Sequence, residues 1–252
     1  KGIVFTMASS GIRLGAWDYL QWENVQPVER QGKIVAAKII IYVGDDEEYF
    51  SFITPEAYYE LKKWMQYRKD CGEELQKNSW IMRRLWDTKK GFYHHGTIRN
   101  PEKLQSSGIK RLIEDALWTQ GIRKKCNLNR NRYELQTNHG LRKWFKTRCE
   151  ISGMKSINIE ILMGHSIGIS DSYYKITEGE LLSEYLKAVD YLTISKETLT
   201  EKQVQGMKIQ YEGNNRMMKG LLSEKQDKIQ YLVHNNEYNL DSISALADIY
   251  HR

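Results

Sequence analysis

Cysteine and proline are scarce in this chain, with three of each among 252 residues. Cys71, Cys126 and Cys149 are odd in number and none pairs at C-x-x-C spacing. That argues against a disulfide framework and a zinc knuckle, and for an intracellular, cytoplasmic, reducing setting. No apolar run approaches the roughly 18 residues that span a bilayer, and no secretory leader is visible, so no membrane partner is expected. Carboxylates do not cluster as a metal-dependent nuclease requires. His94-His95 has no Cys or carboxylate cluster at ligand spacing and reads as a loop or strand edge. The three prolines, Pro27, Pro55 and Pro101, all lie early, so beyond Pro101 nothing forbids helix on that ground. There is no internal repeat and no low-complexity segment.

Large aromatics, by contrast, are plentiful: seven Trp and 16 Tyr, within a hydrophobic content of 40%, supply the buried surface of a real core. The net charge of +6 suits a polyanionic partner, although charge alone fits an ordinary basic protein equally well.

Local patterns sketch the architecture. Ser9-Ser10-Gly11 before Ile12–Trp22 reads as a helix opening, with Arg13 in its first turn. The β-rich runs Ile34–Val43 and Tyr49–Ile53 flank Gly44-Asp45-Asp46-Glu47-Glu48, a hairpin signal. Thr54-Pro55-Glu56 supplies an N-cap, a proline at the first helical position and an acid in the first turn of a helix to about Arg68. Residues 69–100 read as a long irregular connection.

Beyond Pro101 the pattern is helical. Leu112, Ile113, Ala116, Leu117 and Gln120 share one face of a helix ending near Gly121, and Thr137 or Asn138 can cap another running to Ser152-Gly153. A short helix from about Ser156 stops at Gly164. Thr177-x-x-Glu180 is a capping box ahead of the stripe Leu181, Tyr185, Val189 and Leu192. The expected fold is mainly α with a small antiparallel β-sheet, as a unit over residues 1–195. Residues 196–252 form a helical extension suited to protomer–protomer contact. There Val204, Met207, Tyr211, Met218, Leu221 and Leu232 approach a heptad that Asn214, Lys225 and Lys228 interrupt, against a long coiled coil.

One constellation stands out. His139-Gly140-Leu141-Arg142 is an H-x-x-R pair on one helical face; Leu162-Met163-Gly164-His165 follows, and Tyr174 stands nine residues beyond His165, in Ser170-Asp171-Ser172-Tyr173-Tyr174. Arg13 lies upstream, before the hairpin. Paired arginines suit a phosphodiester, because a planar guanidinium makes two charge-assisted bonds to phosphate and keeps its proton. Singly, each is most often a surface arginine, and a lone histidine is most often structural; the shared spacing is what reverses those readings.

Together these residues resemble the catalytic core of the tyrosine recombinases, the phage-integrase-like enzymes, over roughly residues 8–195. The resemblance implies the integrase catalytic-domain fold and metal-free cutting and rejoining of DNA through a 3′-phosphotyrosine. It makes Tyr174 the nucleophile rather than Tyr173, and Arg13 and Arg142 the phosphate clamp. His165 becomes a donor to the scissile phosphate, and His139 assists loss of the tyrosine proton. The family's general acid is a lysine on or near the hairpin. Here the turn is acidic, so Lys38 is the choice and Lys33 the runner-up; five positions apart on one strand, they face opposite sides.

A second departure is Ala16, where an acid commonly follows the first arginine by three. With the segment Glu48–Glu56, these departures look closest to integrases of archaeal mobile elements. The implied partner is double-stranded DNA at specific attachment sites, bound by a tetramer on two sites, with no cofactor. The chain opens without methionine inside what reads as family sequence, so the family's usual N-terminal DNA-clamping domain is expected to lie outside it, and DNA binding to be weak and strongly salt-dependent. The alternatives are an inactive or weak DNA-binding accessory protein of the same fold, and a type IB topoisomerase-like activity.

Overall fold

The computed structural model describes residues 1–84, 102–123, 136–168 and 173–195, then 204, 207–228, 230–231 and 234. His94-His95, Pro101, Cys126, Ser170-Asp171-Ser172 and Leu232 lie outside the described residues. The chain divides into two units, Lys1–Ser195 and Lys196–Arg252.

The first unit is mainly helical around one small antiparallel sheet, as expected. Helix α1 (Gly2–Ser10) leads through short 3-10 turns at Leu14–Asp18 and Trp22–Asn24 into strands β1 (Val25–Arg30), β2 (Lys33–Ile41) and β3 (Tyr49–Ile53). Among the described residues five helices follow: α2 (Pro55–Asp70), α3 (Ser106–Thr119), α4 (Thr137–Ile151), α5 (Ser156–Leu162) and α6 (Glu178–Leu192). In the second unit residues 207–228 are helical and exposed.

The sheet order is β1-β2-β3, with Lys38 opposite Phe52 on one side and Gln26 on the other. Strand β1 adds an edge that the sequence reading did not assign. It carries Pro27, and an edge strand tolerates a residue that cannot donate to the ladder. Gln31 and Gly32, both at positive φ (52° and 72°), close the β1–β2 hairpin, as a tight twisted turn requires.

Alternation along β2 splits its side chains between two cores. Ala37, Ile39 and Ile41 join Ile53 against Met7, Ile12, Trp17 and Leu61 from α1, the first 3-10 turn and α2. Ala36 joins Phe52 against Phe145, Leu162 and Tyr185 from α4, α5 and α6. The sheet is therefore sandwiched between helices and positions both halves of the candidate site.

The entry to that site corrects one expectation. Ser9 and Ser10 end a helix instead of opening one: their hydroxyls bond back to Phe5 O (2.7 Å) and Thr6 O (2.6 Å). Gly11 then takes the left-handed conformation (φ 65°), and its N–H closes the helix on Met7 O at 3.0 Å. A side chain there would drive into the Phe145 ring, with Cγ 2.9 Å from the new Cβ. Arg13 follows in extended backbone (φ −71°, ψ 153°), outside any helix. Freed carbonyls at the end of α1 are taken by Tyr185 Oη on Ser9 O (2.8 Å) and Ser51 Oγ on Ser10 O (3.1 Å). So α6 and β3 both fix the point from which Arg13 departs.

The remaining ends follow their local signals. Thr54 caps α2 through Ala57 N–H, and the Thr177–Glu180 capping box opens α6. The cap of helix α4 is Gln136, one residue before Thr137, and makes no side-chain bond. Beyond α2, Arg68, Glu73 and Arg83 form an ion triad with side-chain exposures of 1%, 0% and 1%. Arg68 also donates to Trp80 O (2.6 Å) and Ile81 O (3.1 Å), tying the irregular segment after α2 back onto that helix.

Candidate functional site

Three of the residues singled out in the sequence meet at one turn. Helix α5 ends at Leu162, and Gly164, in the left-handed conformation (φ 65°), reverses the chain toward His165. Arg13 Nη2 donates to Gly164 O at 3.1 Å, across 151 residues of chain. Arg142, on α4, donates through Nη1 to Gly11 O and through Nη2 toward Met163 O at 3.5 Å. The same Nη2 lies 2.7 Å from His165 Nε2. Two helix-terminal carbonyl turns thus hold both guanidinia and the imidazole in one place.

The tautomer of His165 follows from its neighbours. Its Nδ1 faces Glu160 Oε2, an acceptor, and its Nε2 faces an arginine N–H, a donor. The ring therefore carries its proton on Nδ1 and offers a lone pair at Nε2. Glu160 is in turn held by Lys146 Nζ at 2.7 Å. Burial by itself raises the Glu160 carboxyl, but the hydrogen bonds from Lys146 and His165 outweigh it and leave the group below its ordinary range.

Electrostatics mark the same place as an anion site. Arg142 is partly buried, and no carboxylate pairs with it among the described residues. Burial, reinforced by the charge of Arg13, lowers its proton affinity from the ordinary value. A cation short of solvent and of a counter-ion gains most from an incoming phosphate. Arg13 is more open, at 39% side-chain exposure, and its carboxylate neighbour among the described residues is Glu47 of the hairpin turn, 3.8 Å away. Tyr49 lines the wall beside Gly164; burial pushes its phenol up to about 12, the Arg142 charge offsetting part of the rise.

The other candidates are placed differently. His139 sits exposed one turn before Arg142 on α4 and makes no side-chain hydrogen bond among the described residues. Tyr174 is half-buried, and its hydroxyl donates to Asn158 Oδ1 at 2.8 Å, not to the arginine pair. Tyr173 is 85% exposed. Lys38 extends from β2 across the Phe50 ring, 4.7 Å from its centroid, to Glu178 Oε2 at 2.6 Å. Lys33 is exposed at the far end of β2, opposite Arg30.

Sequence reasoning missed four groups: Glu160 and Lys146 behind His165, Asn158 at Tyr174, and Glu178 at Lys38. Only Glu160, five residues before His165 across a helix end, had a local signal. Among the described residues no group of three or more His, Cys, Asp or Glu is arranged to hold a metal ion. Nor is any helix there long and apolar enough to cross a membrane.

No protein-family model matches the sequence, and no curated protein matches it either. Solved structures do. XerA recombinase is 21% identical over 73% of this chain and 56% of that one, with a TM-score of 0.44. XerH site-specific recombinase bound to its difH substrate is 14% identical over 79% and 44%, with a TM-score of 0.45. The Tn1549 transposon integrase, in complex with transposon right-end DNA, is 15% identical over 72% and 56%, with a TM-score of 0.40. The chain thus spans about half the length of these proteins. It resembles recombinases and an integrase in structure, at a distance that leaves the functional argument to the site itself.

Proposed function

We propose that this chain is the catalytic part of a site-specific DNA recombinase that breaks and rejoins strands through Tyr174. The observation that carries the reading is the convergence of Arg13, Arg142 and His165 on the Met163–Gly164 turn, with Arg142 partly buried and without a carboxylate partner among the described residues. A scissile phosphate there receives the arginines on its non-bridging oxygens, where charge redistributes in the pentacoordinate transition state. Tyr174 Oη attacks phosphorus, the P–O5′ bond breaks, and a 3′-phosphotyrosine and a 5′ hydroxyl result. His139 assists loss of the phenolic proton, His165 donates to the phosphate once Arg142 turns to that phosphate and the imidazole carries a proton on Nε2, and Lys38 protonates the departing 5′ oxygen. A 5′ hydroxyl of the partner strand then displaces tyrosine. One phosphate ester replaces another, so ATP supplies nothing to the balance. Double-stranded DNA at two attachment sites, held by four protomers, is the assembly this chemistry serves.

One observation favours a second reading, a DNA-binding accessory protein: Tyr174 is bound to Asn158 and Lys38 to Glu178, both away from the arginine pair. Trapping on a nicked suicide substrate in EDTA separates the two. A denaturation-resistant adduct with wild type and none with Tyr174→Phe is the expected result. Site-specific binding without any adduct supports the accessory protein, and an adduct that survives Tyr174→Phe moves the nucleophile to Tyr173.

A further inference from the structure

Asn158 is fully buried in the first turn of α5, between Ile157 and Ile159, in a position that an apolar residue would fill at lower cost. Its Nδ2 is buried and finds no hydrogen-bond partner among the described residues. Its Oδ1 accepts one side-chain hydrogen bond, from Tyr174 Oη. A buried amide with half its capacity unmet is destabilising, because the unpaired donor has given up water for nothing. The polar side chain therefore does not serve the core. What it does hold is the hydroxyl nine residues beyond His165, at the edge of an open cavity of about 470 Å³ that Lys155, Gly179 and Ser183 also line.

Resting on the recombinase reading of Tyr174, we infer that Asn158 is a positioning residue that latches the nucleophile in a resting state. With Oδ1 as acceptor, the bond occupies the phenolic hydrogen that must leave before the oxygen attacks. It also ties the side chain to α5 instead of the arginine pair. Binding of DNA must break this bond before Tyr174 can reach phosphorus. Among the described residues no hydrogen bond joins Asn158 to the arginines or to His165, so its effect passes through Tyr174.

The latch makes a prediction opposite in sign to damage. Asn158→Leu keeps the branched shape and the number of heavy atoms, removes the acceptor and the unpaired donor, and leaves thermal stability equal or higher. Asn158→Ala removes the acceptor with a different packing change. In the free protein, nitration of Tyr174 by tetranitromethane, which requires the phenolate, is read by peptide mass spectrometry with Tyr173 as internal standard. On a nicked suicide DNA, covalent adduct formation is timed in EDTA. Both variants are expected to raise the Tyr174 nitration rate about two- to tenfold, the scale of one neutral hydrogen bond, and to speed the adduct similarly. Faster nitration with no adduct from any form of the protein, wild type included, upholds the latch and removes the strand-cleavage reading. Unchanged nitration in both variants, or adducts slower than wild type in both, overturns the latch.

Discussion

Replacing Gly164 with alanine tests the turn that gathers the site. Gly164 has φ 65°, and an added Cβ would lie 2.7 Å from Tyr49 Cδ1, with two other ring atoms nearer still. Two costs combine. Left-handed backbone in a residue with a Cβ costs about 1–2 kcal/mol, and forcing a side chain into an occupied space costs about 1–3 kcal/mol. Gly153 separates them: its φ is 81°, and nothing lies within 4 Å of the Cβ it would acquire. Gly153→Ala therefore incurs the backbone cost alone. Urea denaturation of the two variants should differ by about 1–3 kcal/mol, Gly164→Ala being the weaker. Relief of the clash moves either the Tyr49 ring or the Gly164 carbonyl that anchors Arg13 at 3.1 Å. Gly164→Ala should then lose adduct formation by about tenfold or more, against little loss in Gly153→Ala, since a catalytic group displaced by about 1 Å costs up to about 10²-fold. Equal stabilities for the two variants would refute the contact with Tyr49.

Two further expectations concern stability. Glu73→Gln leaves Arg68 and Arg83 buried together without their shared carboxylate. Breaking such a group costs about 3–5 kcal/mol, or roughly 6–20 °C in melting temperature for a domain of this size; calorimetry showing a drop of only a degree or two would sink the account. Tyr49, with its phenol at about 12, keeps its proton between its ordinary value of 10.0 and that value, while the unfolded chain loses it. The unfolded state then binds fewer protons, so stability falls as pH rises through that window, by up to about 3 kcal/mol. Tyr185, also raised by burial, contributes to the same fall. Tyr49→Phe should make the alkaline decline shallower, and superimposable pH–stability curves would contradict the burial assigned to Tyr49.

Elements with strong local chemistry were legible in the sequence. Thr54-Pro55-Glu56 starts α2, the β-branched run of β2 and its partner β3 form a ladder, and the Thr177–Glu180 box opens α6. Ser9-Ser10-Gly11 was misread because serines serve helix beginnings through their acceptors and helix ends through bonds to carbonyls four residues back. Only the nearness of Phe145, far along the chain, distinguishes the two. Strand β1 escaped because Pro27 argues against a strand everywhere except at an edge, and edges are set by topology. In the site, spacing singled out Arg13, Arg142 and His165, which the fold brings together. It gave no hint of Asn158 or Glu178, whose partners lie 16 and 140 residues away. Contacts of that range leave no periodic trace.

Lys38 is the candidate whose role the structure leaves most exposed to experiment. Its side chain is 20% exposed and that of Glu178, which it meets, is 50% exposed. An ion pair so open to water contributes less than about 1 kcal/mol, so a DNA phosphate can displace Glu178 at little cost. Lys33, at the exposed end of the same strand, has no such position. If Lys38 protonates the leaving 5′ oxygen, Lys38→Ala should slow cleavage by about 10²–10⁴-fold, the range of general acid catalysis. The defect must depend on the leaving group. A substrate with sulfur in place of the bridging 5′ oxygen expels a thiolate, which needs no proton, and should restore Lys38→Ala to near the wild-type rate. Loss of a phosphate-binding charge would slow both substrates alike. Single-turnover cleavage of the paired substrates by Lys38→Ala and Lys33→Ala therefore separates acid from electrostatic clamp. Rescue of Lys33→Ala instead would transfer the role to that residue, and equal defects on oxygen and sulfur would reduce Lys38 to a contact that helps hold the DNA.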